Sequence, residues 1–206
     1  MHTGRGKTIS CAIGGLLMLS MADVAWSQER TQERNQEAAN EQGEPAEGTL
    51  TRAVRQATSS FQDADAAAAA GYVLSGGCVT GPEEGAMGVH YVNEALVGDG
   101  ALDATKPEAL VYEPQQGGRL RLVAVEYIVI AEQWNASNQH PPVLNGQHFH
   151  FVPAPNRVGL PAYYELHVWA WKRNPHGTFT DWNPRVSCDS YSPAAPTTPS
   201  PSQPVP

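Results

Sequence analysis

The chain has 206 residues, with 13 basic and 21 acidic side chains and a formal net charge of −8. An acidic chain with no basic stripe is a poor fit to nucleic acid or to an anionic lipid surface, so its partners are expected among small molecules, metal ions and neutral polymers. Polar and Pro-rich ends flank a central stretch of about 145 residues, the length of one domain.

Residues 1–27 have the layout of a signal peptide. Arg5 and Lys7 precede an apolar run from Ile9 to Met21, which is short for a membrane span, and Ala25-Trp26-Ser27 offers small residues for cleavage near Ser27. Export to the periplasm or the medium is expected, with no transmembrane segment in the mature chain. Cleavage removes Arg5, Lys7 and Asp23, which leaves the mature chain at −9. It also removes Cys11, and the remaining pair, Cys78 and Cys188, is expected to form one disulfide in an oxidising compartment.

Residues 28–47 are rich in Gln, Glu, Asn and Arg and carry too little apolar surface to offset the entropy of ordering, so they read as a disordered polar linker. The domain proper, 48–191, opens with an amphipathic helix. Leu50, Val54, Ala57, Phe61, Ala64 and Ala68 recur at spacings of four and three on one face, Thr49 is placed to cap it, and Gly71 to end it. After Tyr72 the period changes to two, with strands expected over 87–92, 109–113, 119–130, 147–152 and 162–171, and room for a short second helix between Asn93 and Glu108. From Ser192 to Pro206 Pro alternates with Ser, Thr and Ala, a stiff and disordered tail. The fold class expected is α+β: one N-terminal amphipathic helix packed on a mostly antiparallel, partly rolled β-sheet, with one disulfide. Short connections between strands favour the antiparallel order.

Titratable groups within apolar strands are costly to bury without partners, and here they recur. In 119–130 the even positions are Leu120, Leu122, Ala124, Glu126, Ile128 and Ile130, so Glu126 sits on an apolar face. His148 and His150 are two apart and leave one face together, with Phe149 and Phe151 on the other. In 162–171 the odd positions are Tyr163, Glu165, His167, Trp169 and Trp171. His90 could add a fourth nitrogen, and Met87 a thioether were the metal copper. This set predicts a mononuclear site for a divalent ion, zinc, copper or iron, with His90, Glu126, His148, His150 and His167 as ligands and Glu165 and Tyr163 behind them. His140 and His176 fall in Pro-containing loops and His2 in the leader, which sets them aside.

The His148-Phe149-His150 element resembles one part of the cupin metal motif, in which two histidines on one strand join a glutamate and a later histidine. The resemblance covers residues 148–150 and His167. Glu126 precedes the pair rather than following it, so no cupin chemistry is carried over.

The chain lacks a phosphate-binding glycine loop, a dinucleotide fingerprint, Cys-x-x-Cys-His and a Gly-x-Ser-x-Gly elbow. Three readings from different classes follow. The first is an exported metal-binding protein, with a metalloenzyme acting on a small molecule as its catalytic version. The second is a glycan-like ligand module stacking its ligand on Trp134 and Trp182. The third is a cell-envelope structural or interaction domain in which the His/Glu cluster is a structural network.

Overall fold

The computed structural model describes residues 46–81 and 83–193; the leader, the linker up to 45 and the tail from 194 lie outside the described residues. The fold is α+β, four helices with a curled, fully antiparallel six-stranded sheet and one disulfide. Helix α1 (Ala46–Thr58) begins three residues ahead of Thr49, so Thr49 lies within the helix and does not cap it. The single long helix expected to run on to Ala70 is broken. A 3-10 turn (Ser59–Gln62) follows α1, and Asp63, extended at φ −96° and ψ 118°, caps α2 (Ala64–Ala69) by accepting from the Asp65 N–H at 3.0 Å. The break rotates the stripe, so that Ala67 rather than Ala68 is buried beside Leu50 and Val54.

The strands β1 (Val73–Gly81), β2 (Gly85–Val92), β3 (Ala109–Pro114), β4 (Leu120–Ile130), β7 (His150–Val152) and β8 (Tyr163–Val168) are ordered β1-β2-β3-β4-β8-β7. A short helix α3 (Glu94–Val97), capped by Asn93, follows β2, and α4 (Ala131–Ser137) follows β4. The sequence gives no hint of β1, because this edge strand is mostly exposed and Gly76 and Gly77 at its middle interrupt any alternation. The strand expected over 147–152 is split. Val143–Leu144 (β5) and Gln147–His148 (β6) form a separate hairpin, Phe149 turns into the core, and pairing with β8 resumes only at His150.

The two faces of the sheet bury different things. On one face the helices cover the main core, in which Leu50, Val54 and Ala67 meet Val89, Leu110, Tyr112, Val125, Tyr127, Leu166 and Val168. Three tyrosines fix what lies on this face: the hydroxyls of Tyr72, Tyr112 and Tyr127 donate to the carbonyls of Pro107, Phe61 and Ala104, each at 2.7 Å. The opposite face carries two smaller apolar clusters. One is built on Ala86, Val111, Ala124, Trp169 and Val186, the other on Val97, Ala109, Ile128 and Tyr163.

A register shift between the pairs Val111–Ala124 and Tyr112–Leu122 leaves Val123 as an extra residue in β4. Strict alternation predicts Leu120 and Leu122 on the side of Glu126. The bulge reverses them, and both pack against the helix-side core. Strand β8 also ends early. The backbone N–H groups of Trp171 and Lys172 both reach the Val123 carbonyl at 3.1 Å, and Trp171 turns toward the helices, where its indole N–H donates to Thr58 Oγ1 at 3.0 Å.

The segment after β8 folds back over the second face. Asn183 bridges to Ala86, Lys172 pairs with Glu113 at 2.6 Å, and the Cys78–Cys188 disulfide ties β1 to the end of the domain. Among the described residues no helix is long and apolar enough to cross a membrane.

Candidate metal centre

Between the two apolar clusters of the second face lies a polar one. Glu126 on β4 stands directly opposite His167 on β8, and on its other side it is paired with Ala109 of β3. The small Ala109 leaves room for His90, one strand further out on β2, to reach over β3 from its place opposite Val111. Curling of the sheet brings the three together. One donor atom from each of His90, Glu126 and His167 lies within 4.8 Å of the other two, a group that could hold a metal ion.

His90 Nε2 is 3.4 Å from Glu126 Oε2, and His167 Nδ1 is 3.9 Å from Glu126 Oε1. These separations are long for hydrogen bonds. They are near those of ligands sharing one ion, because two atoms bound at 2.0–2.1 Å with tetrahedral angles stand about 3.3 Å apart. His167 makes the stronger point. Its side chain is fully buried, and among the described residues neither ring nitrogen has a hydrogen-bond partner. Its ring stacks on Trp169 and meets His90 edge-on, both with centroids 5.9 Å apart, so packing fixes the ring while its nitrogens are unsatisfied.

Burial sets the charges. It pushes His90 down to about 4, with the Arg157 charge adding to the effect and the Gly88 carbonyl opposing it. It pushes His167 down to about 3, helped by His90, His150 and Arg157. Both imidazoles are therefore neutral, lone-pair donors at neutral pH. Glu126 is held well above the usual carboxylate range, by burial first and then by Glu165, whose carboxyl lies within hydrogen-bonding reach. Glu165 is raised too, chiefly by burial, against the favourable contacts of Glu126 and of the Tyr163 hydroxyl. Two carboxyls this close and this dry keep a proton between them unless a cation takes its place.

Of the residues expected at the site, the structure brings together His90, Glu126 and His167, with Glu165 and Tyr163 adjoining. It does not bring in the His148–His150 pair as a unit. The interruption of the strand at Phe149 puts His148 on the β5–β6 hairpin, exposed, while His150 stands opposite Glu165 at the rim, its side chain 54% exposed and its Nδ1 3.4 Å from Asp181 Oδ1. Met87 is buried at a register shift in β2, where Ala86 pairs with Thr80 and Gly88 with Val79, so alternation does not assign its side chain to either face.

The two tryptophans do not form one platform. Trp134 packs against the helix-side core and donates to the His140 carbonyl at 2.8 Å, whereas Trp182 lies under Arg157, whose Cζ is 5.0 Å from the ring centroid. Arg157 and Asp181 are rim residues that sequence reasoning missed, because both sit in loops where no periodicity marks them.

A groove of about 450 Å³ near the disulfide is lined by Thr80, Glu83, Pro184, Ser187 and Asp189, among others, and includes none of the cluster. Its size is no match for the donor chemistry of the smaller site. Compared with models of protein families, with curated proteins and with solved structures, the chain has no match in any of the three.

Proposed function

We propose that this is an exported metal-binding protein whose centre is one divalent ion held by His90, Glu126 and His167. The observation that carries the reading is the convergence of these three side chains around a fully buried imidazole with two unpartnered nitrogens. Two imidazoles and one carboxylate are the donor set of catalytic zinc and of mononuclear non-haem iron.

The chain's own residues have defined parts in this reading. The Gly88 carbonyl holds the far side of the His90 ring, leaving Nε2 for the ion. Glu165, with Tyr163 behind it, orients Glu126 and takes up the proton that Glu126 gives up on binding. Three protein ligands leave a coordination position open, and an ion held this way supplies Lewis acidity toward a bound water or substrate oxygen. Export rests on the leader-like first 27 residues and agrees with the disulfide.

The test is metal loading of untagged protein stripped with a chelator and then offered Zn(II), Fe(II) or Co(II). Wild type is expected to take up about one ion per chain. His148→Ala and His150→Ala should bind as wild type does, while His167→Ala and Glu126→Gln should lose stoichiometric binding. Wild type that takes up no metal, or uptake abolished at His148 and untouched at His167, contradicts the proposal.

A further inference from the structure

Arg157 is set apart by its partner, an indole ring. In an acidic protein, among the described residues, its guanidinium makes no hydrogen bond and no ion pair, and it is laid over the Trp182 ring instead. The surroundings give it a location. Trp182 follows Asp181, Asp181 Oδ1 faces His150 Nδ1 at 3.4 Å, and His150 stands opposite Glu165, the carboxyl that adjoins Glu126. The Arg157 charge is felt by His90, Glu126 and His167 alike.

An arginine held by stacking keeps its planar fork free for a second partner, and that fork matches a carboxylate through two parallel N–H donors. Asp181, next to Trp182 in sequence, is turned to His150 instead. We infer that Arg157 and Trp182 form an anion subsite at the rim of the His90/Glu126/His167 centre, and that the molecule received there is a small monocarboxylate. This inference rests on the metal-site reading. A carboxylate suits the rim better than a phosphate, because a single guanidinium offsets one negative charge and the Asp181 carboxylate, next to Trp182 and 3.4 Å from His150, repels a second. Trp182 itself is seated on a residue without a side chain, since a Cβ on Gly81 would lie 3.3 Å from the indole.

The experiment uses the full chain loaded with Co(II), whose absorption spectrum reports ligands entering the centre, titrated with acetate and, separately, with uncharged acetamide and with inorganic phosphate. Acetate is expected to perturb the spectrum and acetamide not. Arg157→Leu should weaken acetate roughly tenfold or more, Arg157→Lys by less, and Trp182→Leu should act in the same direction, with Co(II) still bound stoichiometrically in all three. Equal acetate affinity in wild type and Arg157→Leu overturns the subsite, as does acetamide binding as well as acetate. Phosphate binding tighter than acetate in an Arg157-dependent way overturns the choice of a carboxylate. Wild type that fails to bind Co(II) at all is a different result, because it removes the metal centre itself and the subsite with it.

Discussion

His167 shows what a single residue demands of its surroundings. A buried polar group without a partner costs on the order of 1–3 kcal/mol, and this ring has two. Both cluster imidazoles titrate, when folded, below their ordinary value of 6.5. On acidification the unfolded chain therefore binds protons first. The stability these groups contribute is complete above about 6.5 and is lost as pH falls through about 4 for His90 and about 3 for His167. On going from pH 6.5 to 4 the urea midpoint of metal-free wild type should therefore lose ground relative to that of His90→Leu/His167→Leu, because the buried carboxyls contribute the opposite slope to both. Parallel profiles in the two proteins would contradict the assigned charges. Glu126, His167 and His90 were legible in the sequence because an inward polar residue stands out on an apolar strand face. Arg157 and Asp181 were not, since a loop residue's neighbours are decided by tertiary folding alone.

At the scale of the element, alternation served well wherever a strand is continuous and buried. It marked β2, β3, β4 and β8, and it put Glu126 and His167 on one side of the sheet. It failed where the chain departs from regular geometry. The extra residue Val123 turned Leu120 and Leu122 to the other face, and the interruption at Phe149 separated two histidines that a continuous strand would have aligned. The long N-terminal helix failed for a local reason, because Asp63 competes for backbone N–H groups and starts a new helix.

One element carries a charge demand of its own. Glu108, just ahead of β3, is buried and accepts the Ile128 N–H at 3.0 Å, and burial, with the Asp99 and Asp103 charges adding, lifts it to about 8. A raised carboxyl contributes stability that is complete below about 4.5 and is lost as pH rises through about 8. Glu108→Gln keeps an oxygen for the Ile128 N–H and cannot ionise. Thermal scans between pH 5 and 9, spanning the shift, should show the wild-type midpoint declining relative to that of the variant as pH rises. Parallel profiles would mean that Glu108 is not the source of the slope.

For the whole molecule, the disulfide and the cluster address different weaknesses. The Cys78–Cys188 bond closes a sequence separation of 110 residues and pins the segment that covers the polar face. Cys78→Ala/Cys188→Ala is expected to cost about 2–5 kcal/mol by chemical denaturation, and a loss well under 1 kcal/mol would show that the covering segment is held by its other contacts. A bound ion would add stability by mass action, about 2.7 kcal/mol at one hundred times its dissociation constant. The most direct test of the central claim is anomalous diffraction from a crystal of the metal-loaded protein. A single peak is expected within about 2.0–2.2 Å of His90 Nε2, a His167 nitrogen and a Glu126 oxygen. A crystal of loaded protein with no peak at that point, or with its peak at His148 instead, would contradict the account.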